Sequence, residues 1–482
     1  MSTFAHKLTY PQDLCFTSDI TSDIVSLKSW IILKEAYVFP VKVLTDLQRA
    51  KSIAEIKEFF MKVDSIIINA RQIATMSGAG KGKRCAEMND AGILENAGIA
   101  IRDGVIVELA PSAEIEAKYS WDEAIDAMGG ILSPGFVDSH SHPVFVFTRE
   151  DEFAMRLAGK SYVDIALAGG GIRSSIASVR AASVDELVEL SIPRIRRMIE
   201  LGTTTLEAKS GYGLDTQSEL KQLEAIKRLN EILPIDIVAT FMGAHEFPVE
   251  YKIDHDTYIK ILTEEMIPAV LEQGIAEFCD IFTEAHVYSI EESRIVLRKA
   301  KEAGLKLKMH ADEIEAIGGA ELAAEMGCIS ADHLGACSDD GIRMLKEAGV
   351  VPVLLPATLF SLRSKQYARA RDMIEMGLPV AIATDYNPGS CNCDSMALTM
   401  SLACLQMGMS PTESLCAATI NAACALDRQD RIGSLEAGKQ ADIIIWDIPG
   451  LNFIPYHLGS SHIHRVFKNG KNIYNSNRYG IK

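Results

Sequence analysis

The chain has no run of basic residues. Its net charge is −17 over 482 residues, which argues against nucleic acid and anionic membrane surfaces as partners. The opening stretch, MSTFAHKLTY, has no basic region followed by an apolar one, so no secretory signal is expected. Long apolar runs are also missing. The nearest, SWIILKEAYVFPVKVL, carries Lys34, Glu35 and Lys42 and is too short to span a bilayer. A disulfide framework is not evident either. The ten cysteines are scattered, and some, such as Cys404 and Cys424, lie in apolar segments where a free thiol acts as a small hydrophobe. That suits a reducing compartment, and the expectation is a soluble cytoplasmic protein. No Gly-rich phosphate loop follows a strand and opens a helix. GGGIRSS (169–175) lacks a preceding strand and reads as a loop. No internal repeat or low-complexity tract is visible.

What is present is a rhythm. From residue 131, eight β-rich runs alternate with helical patterns: 131–140, 203–209, 236–245, 276–282, 305–311, 328–333, 350–356 and 379–385. Leu220, Leu223, Ile226, Leu229 and Leu233 mark one amphipathic helix; Ile259, Leu262, Met266 and Val270 mark another. Glycines at 202, 274, 304, 327, 349 and 377 fall where helices should end. Eight strand–helix units predict a (β/α)8 TIM-like barrel, with a doubly wound sheet as the alternative. Both flanks are β-rich and punctuated by Gly and Asp turns, with Asn469-Gly470 as a hairpin signal. They predict a small β-sandwich domain built from 63–132 and 430–482, around a barrel over 133–429. Residues 1–62 are an extension of unknown role, with LQRAKSIAEIKEFFMKV (47–63) reading as a helix.

VDSHSHP (137–143) places His140 and His142 one residue apart, which alone fits a loop as well as half a metal site. Their position decides. Active sites of such barrels lie at the C-terminal ends of the strands. His140 and His142 end the first run, His310 the fifth, His333 the sixth and Asp385 the eighth. Five metal-capable side chains from four strands on one rim point to a metal centre. Three imidazoles and a carboxylate suit Zn or Fe with a position left for water, which such an ion makes acidic enough to yield hydroxide near neutral pH. Glu313, three residues after His310, is placed to move a proton. His286 lies just past the fourth run and is a weaker candidate. The fourth run, FCDIFTEAH, has no lysine to bridge two ions, and Lys209 ends the second run, so one metal is expected.

PGFVDSHSH, HADE, ADH, ATDYNPGS and GSLEAGKQADIIIWD resemble the amidohydrolase superfamily. REDEFAMRLAGKSYVDIALAGGGI, LEAKSGYGL, FMGAHEFP and MHADEIEAIGGAELAAEMG are similar to the imidazolonepropionase family within it, and the resemblance runs from about residue 64 to about 475. It implies one divalent or trivalent ion, Zn or Fe, held by His140, His142, His310 and Asp385. It implies hydrolysis of the cyclic amide of 4-imidazolone-5-propanoate to N-formimino-L-glutamate by a metal-bound hydroxide. Arg149, Tyr212, His245 and Glu313 would meet the substrate, with Glu313 as acid/base and His333 orienting the water. Asn387, Gly389 and Ser390 would hold the product, and the assembly would be a homodimer. Chemically, Arg149 can grip a carboxylate through two hydrogen bonds, and His245 can donate to a ring oxygen. VFVFTRE departs from the family's link before the arginine, where a glycine is expected. The alternatives are a cytosine- or guanine-type deaminase, which needs no arginine clamp, and a non-catalytic scaffold, which would be expected to lose metal ligands.

Overall fold

The computed structural model describes residues 60–78, 80, 82–160 and 170–476. Of the helix expected over 47–63, residues 47–59 lie outside the described residues with most of the extension, and its end is not helical: Met61–Lys62 is a short strand paired in parallel with Tyr119–Ser120. Eight parallel strands follow one another in chain order: Phe136–Asp138, Thr203–Lys209, Asp236–Ala244, Phe278–Thr283, Lys306–Ala311, Ser330–His333, Val351–Leu354 and Ala381–Ile382. The seam between last and first is closed just beyond the strands. Asp385 N donates to His140 O at 3.0 Å, and His142 N donates to Tyr386 O at 2.8 Å. This is a (β/α)8 barrel.

The helices pack outside it for the reason their periodicity gives. In Thr216–Ile232, Leu223, Ile226 and Leu229 are buried on one face, each contributing about 1.5–3 kcal/mol of apolar burial. The glycines at 202, 274, 304, 327, 349 and 377 all have φ between 67° and 96°, the left-handed conformation that ends a helix and turns the chain into the next strand.

The first β-rich run is not one strand. Ile131–Pro134 pairs with Ile443–Trp446 and with Gln72–Ile73 in a second sheet, and only Phe136–Asp138 joins the barrel. Gly135 is the crossing point, where a Cβ would fall 2.2 Å from Thr204 Oγ1. GGGIRSS also differs from its reading as a loop. Gly171 precedes the helix Ile172–Ala181, which buries Ile176 and Val179.

The second sheet has eight strands drawn from both flanks, including Ser65–Ala74, Ile93–Arg102 and Val105–Pro111 from one side and Ile443–Trp446, Ile463–Lys468 and Lys471–Asn475 from the other. It curls so that Ile67, Ile99, Ile106, Leu132, Ile443 and Phe467 share one core. Its hairpins turn at Asp103-Gly104 and Asn469-Gly470, all four residues at positive φ, as the twist of a two-residue hairpin requires.

Candidate active site

The barrel strands deliver their final residues to one rim. His140, His142, His310, His333 and Asp385 are all buried there. The His140 ring lies 4.4 Å from that of His310 and 5.4 Å from those of His142 and His333, centroid to centroid. Asp385 Oδ1 is 3.6 Å from His140 Nε2 and 3.7 Å from His142 Nε2. Ligand atoms of His140, His310 and His333 lie within 4.8 Å of one another, as do those of His140, His142 and Asp385. His333 and Asp385 hold φ of 74° and 50°. Such left-handed conformations cost a non-glycine residue about 1–3 kcal/mol and persist where the surroundings impose them.

These donors fit a cation. His140 Nδ1 is 2.6 Å from Asp332 Oδ2, and His310 Nδ1 is 3.1 Å from Asp280 Oδ1. When each carboxylate accepts, both rings carry their proton on Nδ1 and present the Nε2 lone pair to an ion. His140 Nε2 is buried with no hydrogen-bond partner among the described residues, which costs about 1–3 kcal/mol unless an ion meets it. Thr358 Oγ1 donates to Asp385 Oδ2 at 2.6 Å and leaves Oδ1 facing the imidazoles. Burial, reinforced by neighbouring cationic and imidazole groups, pushes His140 and His142 well below the usual histidine range. Neutral imidazole is the form that binds metal. Burial pushes Asp385 up to about 6. A third cluster, His140, Glu207 and Asp332, is similarly close. There Lys308 Nζ stands 2.7 Å from Glu207 and 3.7 Å from Asp332, so both carboxylates already face a cation.

A cavity of about 380 Å³ opens over the cluster, lined by His142, His310, His333 and Asp385 together with Arg149, Tyr212, His245, His286, Glu313, Asn387, Gly389 and Ser390. Every site residue read from the sequence therefore borders this cavity or, for His140, lies directly beneath it. Glu313 Oε2 is 3.6 Å from His333 Nδ1. Burial, then the charges of Asp385 and Glu284, push the Glu313 carboxyl up to about 8. Its loop is fixed from both sides. Ile314 N donates to Glu284 Oε2 at 2.9 Å, and Asp312 accepts from the backbone of Ile317, Gly319 and Ala320. Sequence reasoning missed Glu284 and Asp280, although FCDIFTEAH carries both acids at a strand end. Thr358 gave no signal.

Arg149 precedes the helix Glu150–Leu157 and is only 12% exposed. Its Nε and Nη2 donate to Glu152 at 2.8 and 2.6 Å. Nη1 lies so close to Gly389 that a Cβ there would come within 2.5 Å of it. The unusual link before it is pinned by Arg194, which donates to the carbonyls of Pro143, Phe145 and Val146 and stacks 3.6 Å over the Phe145 ring. Arg149 N in turn donates to Pro388 O at 3.1 Å.

Tyr212 sits on a loop whose backbone is gathered by two buried acceptors. Glu219 takes the N–H groups of Gly211, Gly213 and Leu214, and Gln222 takes that of Tyr212. His245 Nδ1 is 3.0 Å from Gly211 O. A carbonyl can only accept, so Nδ1 carries the proton. Burial holds His245 down to about 3, so the ring is neutral and its Nε2 is an acceptor. The donor role expected of His245 would need its Nε2 to carry a proton instead. Asn387 Oδ1 accepts from the backbone of Gly389, Ser390 and Cys391, and its Nδ2 donates to Asp385 O. Its amide shapes the loop that presents Gly389 and Ser390.

Comparison with known proteins agrees with this geometry. Residues 131–473 match the model of the amidohydrolase family. The imidazolonepropionase of Alkaliphilus metalliredigens is 47% identical over 87% of this chain and all of its own. That of Geobacillus kaustophilus is 47% identical over 86% of this chain and 98% of its own. Among solved structures, a zinc-bound adenosine deaminase from Xanthomonas campestris has a TM-score of 0.64 at 20% identity, over 86% of this chain and 93% of its own. The guanine deaminase of E. coli has 0.66 at 15% identity, over 85% and 99%. These two likenesses concern the fold. Matched along nearly the whole length of its relatives, the chain belongs to the amidohydrolase family and, within it, to the imidazolonepropionases.

Proposed function

We propose that the protein hydrolyses 4-imidazolone-5-propanoate to N-formimino-L-glutamate, a step of histidine degradation. Membership of the imidazolonepropionases supports this, and one observation carries it at the site. A half-buried arginine, held by Glu152 along its Nε–Nη2 edge, faces the same cavity as the histidine–aspartate cluster. A neutral base would not need that cation; a propionate does.

His140, His142, His310 and Asp385 would hold one ion, Zn or Fe. When bound, such an ion acidifies water and polarises a carbonyl. The chain's own residues do the rest. Arg149 receives the propionate, with Glu152 holding the guanidinium so that the outer edge faces the ligand. The neutral His245 Nε2 accepts a ring N–H, and Tyr212 closes one wall. Glu313 takes a proton from the attacking water, with His333 beside it orienting that water. The new C–O bond forms at the ring carbonyl carbon, the C–N bond to the adjacent ring nitrogen breaks, and Glu313 returns its proton to that nitrogen. A carboxyl poised near neutral pH suits both transfers. Asn387, Gly389 and Ser390 receive the product. The same reading includes a barrel over 133–429 carried on a β domain from 63–132 and 430–482, a homodimer, and a cytoplasmic setting.

The test is a cycle between Arg149 and the substrate carboxylate. Arg149→Ala removes a charge-assisted pair of roughly 1.5–3 kcal/mol, so kcat/KM should fall about tenfold to a few hundredfold. Arg149→Lys should restore part, since a point charge cannot reproduce the fork. An analogue without the carboxylate should be a poor substrate for the wild type and scarcely affected by the mutation. Full additivity of the two losses would place Arg149 elsewhere and favour a deaminase.

A further inference from the structure

Beneath the histidines the barrel is filled by charge. Lys209, Lys308, Glu207, Asp280 and Asp332 are each fully buried. Lys209 Nζ contacts Asp280 Oδ2 at 2.6 Å and Glu207 Oε1 at 2.8 Å, and lies 3.7 Å from Asp332 Oδ2. Lys308 Nζ contacts Glu207 Oε2 and Ser139 O, both at 2.7 Å, and is 3.7 Å from the same Asp332 oxygen. Thr240 Oγ1 donates to Glu207 and Ser330 Oγ to Asp332, each at 2.6 Å. Five buried ionisable side chains persist only when paired and hydrogen-bonded, and replacing such clusters by apolar residues often stabilises a protein. Stability is therefore a weak reason for them.

Their neighbours supply a stronger one. Asp280 is the acceptor beside His310 Nδ1, and Asp332 the acceptor beside His140 Nδ1. Outer carboxylates of this kind fix the orientation of the imidazoles that meet a metal. Among the described residues, Lys209 is the cation near both carboxylates at once. We propose that Lys209, seconded by Lys308, is a positioning residue: its ammonium fixes Asp280 and Asp332 in place behind the imidazoles, so that His310 and His140 are aimed at the same metal ion. The inference rests on the metal ligands of the preceding section. It also excludes a carbamate on Lys209 as a second metal's bridge. Carbamylation would remove the ammonium and add a negative charge to a site that already holds three carboxylates.

The experiment measures metal rather than turnover. Wild type and Lys209→Met are stripped, then titrated with Co(II) and Zn(II) against a competing chelator, with the cobalt absorption bands recorded. Loss of a residue that orients metal-bound histidines should weaken affinity about 10- to 100-fold and shift the cobalt bands. The rise in melting temperature on loading metal should be smaller in the variant than in wild type. Should Lys209→Met not fold, Asp280→Asn breaks the same chain one atom further on, with Lys209 still paired to Glu207, and should show the same two effects. A folded variant that binds cobalt as tightly as wild type, with the same bands, overturns the proposal. So does a carbamate carbon resonance in wild type supplied with labelled bicarbonate. A wild type that binds no metal would instead overturn the proposed function.

Discussion

At the scale of single residues, the site separates groups that hold from groups that react. His140, His310 and Asp385 each have one polar atom tied down, to Asp332, Asp280 and Thr358, and another turned inward. Glu313 differs. Its carboxyl is buried, pushed up to about 8, and tied only loosely to His333 at 3.6 Å. A fixed ligand should not titrate during turnover, whereas a proton shuttle must. Glu313→Gln is therefore expected to keep one metal per chain and to melt close to wild type, while kcat falls on the order of 10²-fold or more. Metal analysis beside steady-state rates checks this. If the variant loses its metal, Glu313 is a ligand and the roles at the rim must be redrawn.

At the scale of elements, loops rather than strands set the shape of the cavity. The KSGYGL loop is gathered onto Glu219 and Gln222, and Gly211 makes this possible. Its φ is 103°, and a Cβ would lie 2.9 Å from both His245 Nδ1 and Met242 O. The carbonyl cannot yield, so Gly211→Ala should strain the loop by roughly 1–3 kcal/mol and displace His245. The measurement is a lowered melting temperature with reduced kcat/KM and unchanged metal content. Unchanged kinetics would show that this loop does not set the cavity wall. The rim itself was legible in the sequence, because each relevant strand ends in a residue with metal or acid–base chemistry. The floor beneath it was not. Lys209, Lys308 and Asp280 sit in β-rich runs where charge usually means a solvated face, and only tertiary pairing buries them. The division of 131–140 between two sheets was equally hidden, since Gly135 betrays itself only through the proximity of Thr204. His245 lines the cavity, but which of its ring nitrogens carries the proton depends on the Gly211 carbonyl, which no local pattern reveals.

At the scale of the whole molecule, segments far apart in sequence are tied together around the barrel. Glu413 is the clearest tie. It accepts two hydrogen bonds from Arg371 at 3.0 Å, one from Asn89 Nδ2 at 2.9 Å and one from Ser410 N at 2.8 Å. Burial raises its pKa, but the Arg371 and Ser410 bonds outweigh that and hold it below the usual glutamate range. A carboxylate held low contributes stability that is complete above its unfolded value and is lost as pH falls through the folded one. Glu413→Gln should thus cost on the order of 1–2 kcal/mol at pH 7, discounted for the half-exposed Arg371. The gap to wild type should close as pH drops below about 4.5. Melting curves across that range check it, and a gap that persists in acid would mean the tie is not electrostatic. The account as a whole makes one claim about chemistry, that a carboxylated imidazolone is opened at its ring amide over this rim. Following the absorbance of 4-imidazolone-5-propanoate with metal-loaded protein tests it most directly. The account predicts loss of the chromophore with formation of N-formimino-L-glutamate, abolished by chelation and restored by Zn or Fe. An unchanged spectrum from metal-replete protein that instead deaminates guanine or cytosine would contradict it.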